Sequence, residues 1–320
     1  MRFLFVMDPA QKMTPDKDTT FAFIRGAMAR GHSCLHCLPK DISNLGPEVF
    51  AAARPITVSA EAPHSTLGDE SWVEVSALDA VFVRKDPPFD GAYGHLTRQL
   101  DLVKHRVLVV NDPSAIRDAN EKLYAFHFSE FMPKSLVASD PKRLLDFVSE
   151  VGGHAVIKPL DGAGGAGVLA LSLDDRNTRS IVDILTHEGQ ELVLVQEYQP
   201  AVRVGDKRVL LLDGQPLGAI LRVPRSDDLR ANIHAGGRVV ATELTPGEQR
   251  LVSVVGARLR EVGLVFVGLD LIGEKLIEIN VTSPTGIQEL GRHTGTQPEL
   301  HVIEWVEKNR KSSTPARQNA

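Results

Sequence analysis

The run Ala155-Val-Ile-Lys-Pro leads into a loop crowded with Gly162, Gly164, Gly165 and Gly167, and Val168-Leu-Ala-Leu-Ser-Leu173 follows at once. Both flanks are apolar and rich in strand formers, so this loop joins strand to strand. Gly162, Gly164 and Gly167 satisfy the letter of the G-x-G-x-x-G fingerprint, but a dinucleotide site requires a helix to start there, and no helical pattern follows. No Gly-Lys-Ser/Thr closes the run, which removes the other common phosphate loop. What is left is a glycine-rich hairpin whose bare backbone N–H groups can approach phosphate oxygens, with the Lys158 ammonium supplied by the preceding strand. The ordinary alternative is a flexible turn without a ligand.

A second hairpin gives that loop a counterpart. Leu264-Val-Phe-Val-Gly-Leu-Asp-Leu-Ile272 and Leu276-Ile-Glu-Ile-Asn-Val281 read as two strands joined by Gly273-Glu-Lys275. Alternation puts Gly268, Asp270, Glu278 and Asn280 on one polar side, and Ile277, Ile279 and Val281 on the other. A three-residue turn pairs Ile272 with Leu276 and sets Asp270 against Glu278, whereas a turn of two or four residues breaks that pairing. Facing carboxylates repel one another unless a cation sits between them. Asp270, Glu278 and Asn280 offer only hard oxygen donors, a set that suits Mg²⁺, or Mn²⁺, and not zinc. A solvated face with incidental acids is the alternative. Together the two hairpins describe a nucleoside triphosphate held over a divalent cation.

At 320 residues the chain can bury large cores and is expected to divide into two or three lobes. Its net charge of −5, with signs interspersed, leaves no broad basic face, so nucleic-acid binding is not expected. The apolar run Phe3 to Met7 ends at Asp8, too short for a signal peptide or a membrane span, and reads as the first strand of a cytoplasmic protein with no membrane partner. Cys34 and Cys37 fall on one strand, where residues three apart face opposite ways. They read as buried thiols in a reducing compartment rather than a metal or redox pair.

Residues 1–120 run strand, helix, strand, an irregular proline-containing region, strand (Ala80 to Lys85), helix (His95 to Lys104) and strand (Val107 to Val110), an α/β order that predicts a parallel sheet. Asn120-Glu-Lys122 is expected to begin a new helix. Residues 121–198 form a central lobe with the glycine hairpin, 199–310 a C-terminal lobe with the acidic hairpin, and 311–320 a disordered tail. Between Arg222 and Arg238 lies a loop rich in arginine and poor in apolar residues, suited to a lid that orders on an anion. Asp206-Lys-Arg208 and Arg84, the latter at the carboxyl end of a parallel strand where ligands bind, add anion contacts.

The pieces Arg84-Lys-Asp-Pro-Pro-Phe-Asp90, Arg117-Asp-Ala-Asn-Glu-Lys-Leu123, Lys158-Pro-Leu-Asp-Gly162, Gly205-Asp-Lys-Arg-Val209, Phe266-Val-Gly-Leu-Asp270 and Glu278-Ile-Asn-Val-Thr-Ser-Pro-Thr285 together resemble the bacterial glutathione synthetase family of the ATP-grasp superfamily. The resemblance implies an ATP-grasp fold behind an N-terminal parallel α/β domain. It implies a ligase that joins γ-glutamylcysteine and glycine through an acyl phosphate while ATP becomes ADP and phosphate. By the same resemblance Lys122, Lys158 and the Gly162, Gly164, Gly165 and Gly167 hairpin take the phosphates, and Gln196, Glu197 and Tyr198 line the adenine edge. Asp270, Glu278 and Asn280 hold Mg²⁺. Arg208, Arg222 and the lid residue Arg230 serve the reacting centre, while Lys17, Arg84, Asn280, Ser283 and Thr285 hold the acceptor substrate. A homotetramer is implied as well. Ala231 and His234 in the lid, and Gly286-Ile-Gln-Glu289, depart from the family pattern. A D-alanine or glutamate ligase of the same superfamily, and a non-catalytic ATP-binding relative, are the competing readings.

Overall fold

In the computed structural model, which describes residues 1–224 and 238–311, β1 (Arg2–Met7), β2 (Ser33–Cys37), β3 (Ile42–Leu45), β4 (Glu48–Val58), β5 (Ser65–Leu67), β6 (Ser71–Glu74), β7 (Ala80–Arg84) and β8 (Leu108–Val110) build one sheet. Its main path is β3-β4-β2-β1-β7-β8, with β5 and β6 on β4. The strands β2, β1, β7 and β8 are parallel, as the α/β order predicts. The stretch expected to be irregular is instead an antiparallel extension around β4. Its signal is weak because the inward side chains Val49, Ala51 and Ala53 are small and Pro55 interrupts the run.

The helices α1 (Thr19–Ala29), α2 (Gly91–Asp101) and α3 (Pro113–Asp118) start at Asp18, Asp90 and Asp112, whose carboxylates accept backbone N–H bonds in the first turn. Each such cap is worth about 1 kcal/mol, and Asp90 explains why α2 begins ahead of His95. Asn120-Glu-Lys122 does not begin an α-helix. Asn120 Oδ1 accepts from the amides of Lys122 and Leu123, closing a turn that leads into a 3₁₀ segment, Tyr124–Phe131, kinked at Phe128.

Four antiparallel strands form the second sheet, β9 (Ser135–Ala138), β10 (His154–Pro159), β11 (Leu169–Ser172) and β12 (Val193–Glu197), in the order β11-β10-β12-β9. With α4 (Pro141–Glu150) and α5 (Thr178–Leu185) it encloses a core of its own, including Leu144, Val148, Ile157, Leu171 and Val195. The third sheet is antiparallel throughout, in the order β15-β14-β13-β16-β17. Its strands are β13 (Asp206–Leu212), β14 (Gln215–Val223), β15 (Arg238–Ala241), β16 (Phe266–Ile272) and β17 (Lys275–Asn280), accompanied by α6 (Pro246–Glu261), α7 (Ile287–Thr294) and α8 (Pro298–Asn309).

The first and third sheets share their cores. Leu4, Val6, Val81 and Val83 pack in one continuous cluster with Val209, Val267, Leu269 and Ile279. Phe3, Phe5 and Phe82 join Leu210, Phe266, Ile287 and Val302 in another. Cys37 lies in the first cluster and Cys34 in the second, both as free thiols, so the two do face opposite sides of β2. Buried Asn111, just after β8, stitches the sheets together: its Nδ2 donates to Phe266 O (2.9 Å) and Val281 O (2.8 Å), and Phe266 N donates back to its Oδ1 (2.7 Å). Among the described residues no helix is long and apolar enough to cross a membrane.

Candidate active site

A cleft of ≈ 710 Å³ opens between the central and C-terminal sheets. Its lining includes Lys122, Lys158, Gly162, Gly164, Gly165, Gly167, Gln196, Glu197, Tyr198, Arg208, Arg222, Asp270, Glu278 and Asn280. The roof is the glycine hairpin between antiparallel β10 and β11. Gly164, Gly165 and Gly167 have positive φ, and a Cβ on Gly167 would fall 2.7 Å from Pro159 Cγ. The turn therefore requires glycine at that position, and no side chain there stands between backbone and cleft.

The floor is the hairpin β16–β17. Asp270 faces Glu278 and Gly268 faces Asn280, but the route to this register differs from the expected one. Ile272 pairs with Lys275, so the turn is the two residues Gly273 and Glu274, and Leu271 pairs with Leu276. A bulge at Ile277 then absorbs the extra residue and restores Asp270 opposite Glu278. The bulge also re-aims Ile277: it lines the cleft with Ile272, while Leu276, Ile279 and Val281 enter the core.

Side-chain alternation on β13 directs Asp206 and Arg208 into the cleft and Lys207 away from it. Lys207, grouped with the anion contacts in the sequence, instead forms a buried ion pair with Glu248 of α6 at 2.6 Å. Arg208 grips Asp270 with two bonds, Nε to Oδ1 (2.5 Å) and Nη2 to Oδ2 (2.9 Å). Arg222 Nη2 lies between Asp206 Oδ2 (2.5 Å) and Asp270 Oδ1 (2.9 Å). Burial opposes ionisation of Asp270, yet Arg208 and Arg222 outweigh it and hold its pKa well below the usual carboxylate range. For Asp206 burial prevails over Arg222, and with the Asp270 charge adding to it the pKa rises to about 6. Asp206 Oδ1 and Arg222 Nε are buried without a hydrogen-bond partner among the described residues, a cost of about 1–3 kcal/mol each that a bound polar ligand would relieve.

Lys122 Nζ donates to Gly162 O (2.6 Å) and Leu160 O (3.3 Å) and pairs with Glu278 Oε1 (3.1 Å). Lys158 Nζ donates to Gln196 Oε1 (2.9 Å), and burial pushes its pKa down. Asn280 Nδ2 reaches Asp270 Oδ2 at 3.3 Å. Among the described residues, each of the four cations lining the cleft, Lys122, Lys158, Arg208 and Arg222, thus rests on a carboxylate or a neutral oxygen. A triphosphate with its divalent ion can exchange both sets of partners at once, phosphate oxygens for the ammonium and guanidinium groups and metal for the carboxylates. The hard-oxygen set Asp270, Glu278 and Asn280 fits Mg²⁺ or Mn²⁺, which commonly bind through one or two carboxylates plus substrate phosphates.

Lys17, Arg84, Ser283 and Thr285 do not line this cleft. Arg84 ends β7 and is buried, donating to Thr20 Oγ1 (3.1 Å) and Pro284 O (3.0 Å), with its guanidinium near the rings of Phe23 and Phe266. No carboxylate among the described residues pairs with it, and burial lowers its pKa. The Ser283–Thr285 segment runs between two arginines, since Thr285 O accepts from Arg208 Nη1 at 3.1 Å. Lys17 is exposed in a loop tied to α7 through Gln288 Nε2, which donates to Pro15 O (2.9 Å) and Asp18 O (2.7 Å). Arg230, Ala231 and His234 lie outside the described residues, as does the tail from residue 312. Among the further residues on the cleft wall are Val156, Leu169 and Val202; apolar residues of this kind carry no sequence mark of a ligand.

The family model for the ATP-grasp domain of prokaryotic glutathione synthetase matches residues 121–295, and the model for the N-terminal domain of the same family matches residues 1–117. A glutathione synthetase of Nostoc sp. is 40% identical over 320 residues, covering 97% of this chain and 98% of the relative. One from Gloeobacter violaceus is 42% identical over 313 residues, covering 96% of each. Among solved structures, the D-cycloserine synthetase DcsG superposes with a TM-score of 0.65 over 96% of this chain and 99% of its own, at 15% identity, a likeness of fold alone.

Proposed function

The chain belongs to the prokaryotic glutathione synthetase family, and from that premise we propose how its residues divide the work of the reaction. It is an ATP-dependent ligase of glutathione synthesis with the ATP-grasp fold. Its small-molecule substrates are, in our reading, γ-glutamylcysteine, glycine and ATP. We divide the chain into an N-terminal substrate lobe (1–120), a central lobe (121–198) and a C-terminal lobe (199–310).

ATP lies in the cleft with its phosphates under the glycine hairpin. Lys122 and Lys158 trade their carbonyl and amide partners for phosphate oxygens. The base sits against Gln196, Glu197 and Tyr198. Asp270, Glu278 and Asn280 would hold Mg²⁺, which when bound offsets phosphate charge and polarises the transferring group. A carboxylate oxygen of γ-glutamylcysteine attacks the γ-phosphorus, the bond from that phosphorus to ADP breaks, and an acyl phosphate forms. Arg208 and Arg222 steady the converging anions, and Arg84, Lys17, Ser283 and Thr285 hold the acceptor. Glycine's amine then attacks the acyl carbon and loses a proton, and phosphate leaves with the C–O bond pair. No side-chain nucleophile is required. Arg230 is assigned to the intermediate from its place in the lid sequence. We place the reaction in the cytoplasm, consistent with two unpaired buried thiols, and infer a homotetramer, which sedimentation will test.

The observation that carries this reading is the register that sets Asp270 against Glu278 beside Asn280, within reach of four cationic side chains. Its test is phosphate release from ATP with Mg²⁺, γ-glutamylcysteine and glycine, omitting each amino-acid substrate in turn and weighing the product. Glutathione formed only with both present supports the assignment. ATP binding with no glutathione from this pair would overturn it.

A further inference from the structure

The free edge of β17 is occupied by the connecting segment Asn120-Glu-Lys122, which the chemistry above uses only through Lys122. Glu121 Oε1 accepts three bonds, from Val281 N (3.0 Å), Thr282 N (3.2 Å) and Thr282 Oγ1 (2.8 Å), and Glu121 O accepts a fourth from Ile279 N (3.0 Å). One residue on, Lys122 pairs with Glu278 (3.1 Å) and bonds to the base of the glycine hairpin at Gly162 O (2.6 Å). One residue back, Asn120 Oδ1 fixes the turn by accepting from the amides of Lys122 and Leu123. The clasp thus runs along Glu278, Ile279, Val281 and Thr282. Past it the chain reaches Pro284 and Thr285, whose carbonyls accept from Arg84 (3.0 Å) and Arg208 (3.1 Å).

We infer that Glu121 is a positioning residue: its carboxylate holds the Asn280–Thr285 segment in register with Lys122, so that acceptor and phosphate meet in line. The inference rests on the assignment of the phosphates to Lys122 and of the acceptor to residues 280–285. Glu121 touches neither reactant. It acts through two backbone amides and the Thr282 hydroxyl, donors that any acceptor of the same shape can satisfy. A misplacement of about 1 Å between groups that must react in line can cost about 100-fold in rate, whereas each partner bound alone is little affected.

The experiment compares Glu121→Ala, Glu121→Gln, Thr282→Val and the double variant Glu121→Ala/Thr282→Val in the full-length protein. It measures kcat, the KM for each of the three substrates, binding of a non-hydrolysable ATP analogue with Mg²⁺, and melting temperature. Glu121→Ala should lose kcat by about 100-fold, with analogue affinity within about threefold of the parent. Glu121→Gln keeps an oxygen for the three donors and should restore most of kcat. Thr282→Val removes one of those donors and should lower kcat several-fold, and the double variant should be no worse than Glu121→Ala, because the Thr282 hydroxyl acts only through its bond to the Glu121 carboxylate. Three results would overturn the inference: a parental kcat in Glu121→Ala, Glu121→Gln as damaged as Glu121→Ala, or kcat and analogue affinity falling together with the melting temperature. Should Glu121→Ala fail to fold, Glu121→Gln and Thr282→Val decide by the same criteria. Hydrogen exchange at the Val281 and Thr282 amides, faster in Thr282→Val and Glu121→Ala but not in Glu121→Gln, reads the clasp without any substrate. A parent that makes no glutathione therefore overturns the substrate assignment and leaves the clasp to be judged separately.

Discussion

Asp270 is ionised in the interior because two guanidiniums hold it, and each is held by it in return. Removing one member of such a buried set while leaving the others charged typically costs about 3–5 kcal/mol. Asp270→Asn keeps the shape but leaves Arg208 without a carboxylate and Arg222 with Asp206 alone, so we expect a loss near the lower end of that range by chemical denaturation, along with most of the turnover. Glu278 differs: its partner Lys122 has two carbonyls to fall back on. Glu278→Gln should fold normally and raise the Mg²⁺ requirement by at least about tenfold, since even outer-shell partners of a metal are worth that much; near-parental activity at limiting magnesium would remove Glu278 from the metal site. The shared face of Glu278 and Asn280 was legible in the sequence because alternation on a strand is a local rule, whereas Asp270 was set against Glu278 there by a three-residue turn that the structure replaces with a two-residue turn and a bulge. The Arg208 and Arg222 grip on Asp270 was not legible, since it depends on β13 arriving beside β16 with β14 on its far side, from distant parts of the chain. Asp206 was visible only as one of a charged trio, with nothing in the sequence to say that burial would raise its pKa while Asp270's fell.

Elements were most readable where the pattern was long and both ends were marked. The strand, glycine loop and strand of β10 and β11 met that standard, as did α6, where Thr245 and Glu248 form a capping box that brackets Pro246. The turn of β16–β17 was less readable, because loop length and bulge compensate one another and alternation cannot separate them. That compensation is testable. Deleting Ile277 would remove the bulge from a hairpin that still pairs Asp270 with Glu278, so the chain should fold and respond to Mg²⁺. It would also lose an apolar wall of the cleft, and we expect KM for ATP to rise by about tenfold, the equivalent of about 1.4 kcal/mol of lost apolar contact. A chain that cannot fold without Ile277 would show that the sheet, and not the cleft, demands the bulge. At the other end of the chain α8 is fastened to α1 and β2 by Glu307, which pairs with Arg30 (2.7 Å) and His32 (2.6 Å). The Arg30 bond, and after it His32, lower the Glu307 pKa from 4.5 to about 2 despite partial burial. A carboxylate with a depressed folded pKa stabilises above its unfolded value and loses that contribution as pH falls through the folded one. The melting difference between the parent and Glu307→Gln should therefore be full at pH 7, shrink below about 4.5 and vanish near 2; a difference independent of pH would mean that packing, not charge, fastens α8.

Across the whole molecule, the sequence suggested lobes in a row, but the cores join them unequally. The N-terminal and C-terminal sheets share two continuous apolar clusters and the Asn111 stitch, and the 3₁₀ segment buries Tyr124, Ala125 and Phe128 in the same mass. The central sheet keeps a separate core confined to residues 136–195. Such merging is not legible in a sequence, because inward-facing valines look alike whether the opposing layer is their own lobe or another. Its consequence is mechanical: a body with a private core, facing its neighbour across an open cleft, moves more readily than one that shares apolar surface. The glycine roof belongs to that body and the carboxylate floor to the fixed one. A nucleotide bridging Lys158 on β10 and the β16–β17 floor should therefore hold the two together. Hydrogen exchange with and without a Mg²⁺-bound, non-hydrolysable ATP analogue will check this. Amides of residues 154–172 should gain protection, those of β1, β7 and β13 should not change, and withholding the metal should remove much of the gain, because the floor then carries unscreened carboxylates against the phosphates. Equal protection across all three sheets would mean that the molecule closes as one body and that the separate core has no mechanical role.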